Sequence, residues 1–205
     1  MSGSWSLVIP VKPTADGKSR LDGARLPRPA LALAIALDTI AAAADARCVD
    51  EVIVVTSSAD VIAGLEHIPG TRAIPDPGMG LNGAVRAGLA QAAGPARAAM
   101  LGDLPALSAH DLDGALTAGT QYARAFVPDA EGTGTTLVMW RDVTLYESRF
   151  GAGSANEHRA AAFVALPVDA PGLRRDVDTA EQLRDAAQMG LGPRTTNLLR
   201  AVEAA

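Results

Sequence analysis

The alternation of two kinds of segment constrains the fold of this chain most. Short runs rich in β-branched residues, such as residues 6–11 and 51–56, are separated by alanine-rich stretches such as residues 30–44. Parallel strands joined by crossover helices produce this alternation. The sequence therefore predicts an α/β sandwich with a mostly parallel central sheet. The continuous apolar character of residues 51–56 is typical of a strand covered on both faces, and we expect this strand to be central.

The remaining elements follow the same rules. Further strands are predicted at residues 72–74, 98–101, 125–127, 136–140 and 165–168. Further helices are predicted at residues 58–65 and 82–92, from Ser108, at residues 154–163, between Thr179 and Gly190, and from Pro193. With 205 residues and no repeat or linker, the chain is expected to form a single domain, residues 1–205.

Composition excludes several classes of protein. A hydrophobic share of 48% with 20% charged residues indicates a globular chain rather than a disordered one. The longest apolar run, residues 30–37, is less than half of the roughly 20 residues that cross a bilayer. The amino terminus lacks the pattern of a secretory signal. We therefore expect a cytoplasmic protein without a membrane partner.

Net charge and cysteine content exclude further kinds of partner and site. A net charge of -5 disfavours general attraction to a nucleic-acid backbone, so no nucleic-acid partner is expected. The single Cys48 excludes an internal disulfide and a structural zinc site of several thiolates. The three histidines share no metal-ligand spacing and are predicted to be surface or capping residues.

Acidic residues stand where a metal would bind in an open α/β sheet. Asp103 follows a predicted strand and Gly102, while Asp176 and Asp178 flank Val177 in a segment where alternation places both carboxylates on one side. Together they could supply hard oxygen ligands to Mg²⁺. Two alternatives stay open, namely that Asp103 caps a turn and that Asp178 is the N-cap of the following helix.

A cationic loop follows the first predicted strand. Lys12, Lys18 and Arg20 suit a polyphosphate, whose charge must be compensated locally in an acidic protein, although a solvated surface loop is the alternative. The chain has no Walker-type phosphate loop, and no Rossmann glycine pattern follows the first strand.

Two glycine-rich segments carry hydroxyl groups. Residues 132–135 end in Thr135, and residues 151–154 begin with Gly151 and end in Ser154 at a predicted, capped helix start. Glycines allow close backbone approach to a ligand, and hydroxyls donate to an anion, so together the segments predict an oxyanion pocket. Ordinary hairpin turns and a helix cap are the alternative.

Taken together, these segments resemble the guanylyltransferases that make the deazaflavin coenzyme of the F-420 type, which act on 2-phospho-L-lactate or phosphoenolpyruvate. The resemblance is carried, in this order, by residues 18–21, 81–82, 102–105, 132–135, 149–151 with Ser154, and 172–179.

The resemblance implies a fold and a set of roles. The fold is a three-layer α/β/α nucleotidyltransferase fold related to glycosyltransferase-A domains. Asp103, Asp176 and Asp178 become the catalytic, Mg²⁺-binding acids. The acceptor contacts become Thr135, Gly151 and Ser154. Asn82 is our candidate for a contact to the ribose or base of the nucleotide, beside the triphosphate contacts expected of the basic loop.

The implied reaction joins GTP to a small phosphorylated carboxylic acid. The acceptor phosphate is mostly dianionic near neutral pH, because its second pKa is about 6, and can attack the α-phosphorus of GTP without a general base. Phosphoenolpyruvate is the favoured acceptor. The alternatives are a nucleotidyltransferase for 3-phosphoglycerate, a sugar phosphate or a molybdopterin, and an inactive nucleotide-binding regulatory module. A homodimer is compatible with the sequence.

Overall fold

The computed structural model describes residues 4–12, 28–141 and 146–204. The strands in this part of the chain are β1 (Trp5–Pro10), β2 (Val49–Val55), β3 (Thr71–Ile74), β4 (Ala96–Met100), β5 (Arg124–Pro128), β6 (Thr135–Trp140) and β7 (Val164–Ala165). The helices are α1 (Arg28–Ala44), α2 (Ala59–Leu65), α3 (Gly80–Gln91), α4 (Ala109–Gly119), α5 (Ser154–Ala160), α6 (Pro171–Arg174), α7 (Ala180–Met189) and α8 (Pro193–Glu203).

The strands form one sheet in the order β3-β2-β1-β4-β6-β5-β7. Strands β1 to β4 are parallel, and β6 runs antiparallel to both β4 and β5. Strand β5, which also pairs in parallel with β7, therefore has the direction of β1 to β4. The prediction of a mostly parallel sheet is confirmed, and the carboxyl ends of β1, β4 and β5 meet at one edge.

Alternation within the strands produces three layers. Leu7 and Ile9 of β1 are buried in a cluster with apolar residues of α1, α2 and α4. Val8, between them, is buried on the opposite face in a cluster with apolar residues of α3 and α5. Successive strand residues point to opposite faces of a sheet, so each apolar strand residue contacts one helical layer. The structure confirms the α/β/α sandwich.

Some predictions about individual elements are wrong. The strand predicted to be central corresponds to β2, which lies one place from the edge, whereas β4 occupies the middle of the order. The last strand spans Val164–Ala165 rather than residues 165–168, and the short helix α6 was not predicted. Helix α5 ends at Ala160, because Ala162 adopts a positive φ of 62° and the Phe163 amide donates back to the His158 carbonyl.

No helix in the described ranges is long and apolar enough to cross a membrane.

Candidate active site

A cavity of about 520 Å³ opens at the edge of the sheet where β1, β4 and β5 end. Several loops supply its walls, because strand ends of parallel sheets bring loops from neighbouring units together. The predicted site residues that line it are Lys12, Asp103, Thr135, Gly151, Ser154, Asp176 and Asp178. Acidic, basic and hydroxyl groups predicted from separate parts of the sequence thus share one cavity.

Backbone contacts bring the three acids to the same wall. The amide of Val177 donates to the carbonyl of Asp103 at 3.1 Å. The Val177 side chain is fully buried in a cluster with Leu31 and Ile35 of α1. Asp176 and Asp178, on either side of it, line the cavity beside Asp103. The predicted alternation across this segment is confirmed.

The electrostatics of this wall suit a cation. Burial, together with the nearby charges of Asp103 and Asp178, raises the pKa of Asp176 to about 6. One carboxylate oxygen of Asp176, Oδ1, is buried without a hydrogen-bond partner among the described residues. A bound cation would satisfy this oxygen and offset the repulsion between the carboxylates.

The acids nevertheless do not form a closed cage. Within the described ranges, no group of three or more His, Cys, Asp or Glu side chains is arranged to hold a metal ion by itself. Mg²⁺ commonly takes only one or two carboxylates and completes its shell with substrate phosphates and water. The residues present therefore fit Mg²⁺ bound together with a nucleotide, and the ligand roles of Asp103, Asp176 and Asp178 stay predictions.

The alternative role for Asp178 is wrong. Thr179 is the N-cap of α7, and its hydroxyl accepts from the Gln182 amide while Gln182 Oε1 accepts from the Thr179 amide. This capping box occupies the position that the alternative gave to Asp178. The Asp178 side chain lines the cavity instead.

Sequence reasoning missed Asp129, which also lines the cavity. It follows β5, and its carboxylate accepts from the amides of Thr133 at 2.9 Å and Gly134 at 2.7 Å. These bonds shape the loop that leads into Thr135. The sequence contains a signal for this residue, because Asp129 follows a predicted strand just as Asp103 does.

The hydroxyl residues Thr135 and Ser154 line the same cavity. Thr135 begins β6 and Ser154 begins α5, and both residues are buried. The capping role predicted for Ser154 is wrong, because Gly153 is the N-cap, with a left-handed φ of 72°. Gly151 has a φ of 138°, a conformation that favours glycine, and it too lines the cavity. The three predicted acceptor contacts therefore lie together.

One histidine departs from its prediction. His67 and His110 are exposed, but His158 is fully buried against Phe126, Phe150 and Phe163. Its Nδ1 lies 3.0 Å from the Thr135 hydroxyl, and its Nε2 accepts from the Arg149 amide at 3.1 Å. Burial lowers the pKa of His158 to about 4. The ring is therefore uncharged at neutral pH, and its contacts support residues that line the cavity.

The structure describes only some of the residues that are predicted to contact the nucleotide. Lys12 lines the cavity, whereas Lys18 and Arg20 lie outside the described residues. Asn82 donates to the Phe150 carbonyl at 2.9 Å and accepts from the Phe150 amide at 2.9 Å. It also accepts from the Ser148 hydroxyl at 2.8 Å. Asn82 therefore holds the loop before Gly151, and its contact to a nucleotide stays a prediction.

Known proteins are similar to this chain in sequence and in fold. The model of the guanylyl transferase CofC-like family matches residues 5–205. The chain belongs to this family. A phosphoenolpyruvate guanylyltransferase of Salinispora arenicola is 44% identical over 203 residues, which cover 97% of this chain and 94% of that protein. Another of Thermomonospora curvata is 46% identical over 202 residues, which cover 95% of this chain and 88% of that protein.

A solved structure supports the fold. The 4-diphosphocytidyl-2C-methyl-D-erythritol synthase of Anaerococcus prevotii matches with a TM-score of 0.62 at 14% identity, over 91% of this chain and 96% of that chain. The nucleotidyltransferase fold implied by the resemblance is confirmed. Membership of the CofC-like family also confirms that the chain is a transferase of the guanylyltransferase type.

Proposed function

We propose that this CofC-like chain transfers GMP from GTP to the phosphate of phosphoenolpyruvate and releases pyrophosphate, in the synthesis of the F-420 type of deazaflavin coenzyme. One observation carries the proposal. The cavity brings the carboxylates Asp103 and Asp176 together with the hydroxyl residues Thr135 and Ser154. Phosphoenolpyruvate is proposed as the acceptor because the relatives of Salinispora arenicola and Thermomonospora curvata are named phosphoenolpyruvate guanylyltransferase.

The reaction needs no residue to remove a proton. A phosphate oxygen of the acceptor forms a bond to the α-phosphorus of GTP, and the bond from that phosphorus to the β-phosphate oxygen breaks. The electron pair leaves with pyrophosphate. Since the acceptor phosphate is already mostly dianionic at neutral pH, the protein has to align the two reactants and balance their negative charge.

The proposal assigns a role to each group of residues that lines the cavity. Asp103, Asp176 and Asp178 would hold Mg²⁺, which neutralises triphosphate charge when bound. Lys12 at the cavity adds a cation for the triphosphate. Thr135 and Ser154 would donate hydrogen bonds to the acceptor, and the backbone at Gly151 would allow its close approach.

Further expectations accompany the proposal. We propose that the chain acts as a single domain over residues 1–205, in the cytoplasm, and with small molecules rather than nucleic acid or membrane as partners. Lys18, Arg20 and Asn82 retain their predicted nucleotide roles. A homodimer remains compatible with the proposal.

The test is pyrophosphate release by the purified protein with GTP, Mg²⁺ and one acceptor at a time. The panel contains phosphoenolpyruvate, 2-phospho-L-lactate, 3-phosphoglycerate and a sugar phosphate. We expect the highest kcat/KM with phosphoenolpyruvate. Preference for another acceptor would reassign the substrate, and no release with any acceptor would favour a nucleotide-binding module without activity.

A further inference from the structure

His158 connects the three segments that carry the predicted acceptor contacts Thr135, Gly151 and Ser154. It lies on α5, its Nδ1 is 3.0 Å from Thr135 Oγ1 at the start of β6, and its Nε2 accepts from the Arg149 amide in the loop that precedes Gly151. A single imidazole thus touches each segment that carries a predicted acceptor contact.

The hydrogen-bond partners determine where the ring carries its proton. A backbone amide can only donate, so Nε2 must be an acceptor and carries no hydrogen. A neutral imidazole then carries its proton on Nδ1, and the low pKa that burial gives His158 keeps the ring neutral at neutral pH. Nδ1 therefore donates to the Thr135 hydroxyl and does not accept from it.

The direction of this hydrogen bond determines which bonds the Thr135 hydroxyl can still make. A hydroxyl has one proton to donate and two lone pairs. Because a lone pair of Oγ1 accepts from His158, the hydroxyl proton is not used by the imidazole. Thr135 lines the cavity, so this proton is available to an anion there.

We propose that His158 is a positioning residue for the acceptor, because it donates from Nδ1 to Thr135 Oγ1 and so fixes the Thr135 hydroxyl as a donor to the acceptor's phosphate or carboxylate. The proposal rests on the proposed function. Asn82 assists from the other side, since it binds both backbone groups of Phe150, the residue after Arg149. His158 itself touches neither substrate.

A purely structural role would have different consequences. His158 packs against Phe126, Phe150 and Phe163, so phenylalanine at this position preserves an apolar ring but removes both hydrogen bonds. Asparagine is smaller, but its side-chain amide can donate near the position of Nδ1. If His158 only fills space, His158→Phe is the milder change; if it positions Thr135, His158→Asn is the milder one.

The first test is steady-state kinetics with GTP and phosphoenolpyruvate varied in turn, repeated with 2-phospho-L-lactate. We expect His158→Phe to raise KM for the acceptor by about 10-fold or more, the effect of losing a hydrogen bond to a charged group, and to change KM for GTP little. His158→Asn should raise the acceptor KM less. His67→Asn, at an exposed histidine, is the matched control and should match the wild type.

A double-variant cycle shows whether His158 acts through Thr135. In a Thr135→Ala background, His158→Phe should add little to the acceptor KM, since the hydroxyl it positions is gone. Additive effects, equal KM increases for both substrates, or a milder effect of His158→Phe than of His158→Asn would overturn the proposal.

A second measurement needs neither a variant nor a substrate. In the nitrogen-15 NMR spectrum of the wild-type imidazoles at neutral pH, we expect His158 as the neutral form with its proton on Nδ1. A proton on Nε2, or on both nitrogens, would overturn the proposal. Failure of the proposed function is distinguishable, because it would appear as a wild-type protein that turns over neither acid while this tautomer is still present.

Discussion

Replacing Asp176 with asparagine should stabilise the metal-free protein and remove its activity. The substitution keeps the shape of the side chain and deletes one of the clustered negative charges. Burial and the charges of Asp103 and Asp178 already raise the pKa of Asp176 to about 6, so the folded protein holds this carboxylate at a cost. A residue that lowers stability and is needed for turnover is expected of a metal ligand.

The pH dependence has a definite sign. Below about pH 4, near the ordinary pKa of a carboxyl group, Asp176 is protonated in both folded and unfolded states and contributes no penalty. As pH rises from about 4 to the folded value of about 6, the unfolded state releases its proton while the folded state retains it. Stability is therefore lost over this window, and the loss is complete above it.

The magnitude follows from the difference between the two pKa values. A change from 3.8 to about 6 corresponds to about 3 kcal/mol at 1.36 kcal/mol per unit. Because Asp176 is only partly buried, solvent screening reduces the expected gain in the Asp176→Asn protein to about 1–2 kcal/mol. In the presence of GTP, Mg²⁺ should stabilise the wild type and leave the variant almost unchanged, since a ligand stabilises the state that binds it.

The assay is urea unfolding between pH 4.5 and pH 8, in EDTA alone and in GTP with either EDTA or Mg²⁺. Asp169→Asn, at an exposed carboxylate outside the cavity, serves as the matched control. The reasoning is refuted if Asp176→Asn is no more stable than the wild type at pH 8 in EDTA. It is also refuted if, in the presence of GTP, Mg²⁺ stabilises both proteins equally.

Three further substitutions test the rest of the cavity. Thr135→Ala should lower acceptor affinity about 10-fold to 150-fold in steady-state kinetics, which is the range for a hydrogen bond to a charged group. The affinity for GTP should change little, and equal losses for both substrates would contradict the division of the site. Gly151→Val should cost about 1–3 kcal/mol in urea unfolding and abolish turnover, because its φ of 138° disfavours a side chain; wild-type stability would contradict the strain. Lys12→Ala should weaken GTP binding in calorimetry, with a deficit that shrinks as salt rises; unchanged affinity would remove Lys12 from the nucleotide site.

The sheet and its layers could be predicted because local patterns determine them. Strands β1 and β2 contain apolar runs whose alternate residues meet opposite helical layers. The short strand β7 could not be bounded from its sequence, since its two residues are defined by pairing with β5. The end of α5 depends on a positive φ at Ala162, for which alanine gives no local signal.

The site was predictable where its residues follow strands or alternate in an extended segment. Asp103, Asp176 and Asp178 fulfil these conditions and line the cavity together. His158 could not be found, because its burial depends on contacts with Thr135, 23 positions away in sequence. The capping role assigned to Ser154 failed because Gly153 takes that position with a left-handed backbone. Asp129 was missed even though its position after β5 signals it.

The most direct test follows the oxygen that links the two reactants. Phosphoenolpyruvate with oxygen-18 in its phosphate is incubated with GTP, Mg²⁺ and the protein, and the products are separated for mass spectrometry. We expect a guanosine diphosphate ester of enolpyruvate that retains the full oxygen-18 label of the acceptor phosphate, together with unlabelled pyrophosphate. Label in pyrophosphate or inorganic phosphate, or the absence of the ester, would contradict attack by the acceptor phosphate on the α-phosphorus of GTP.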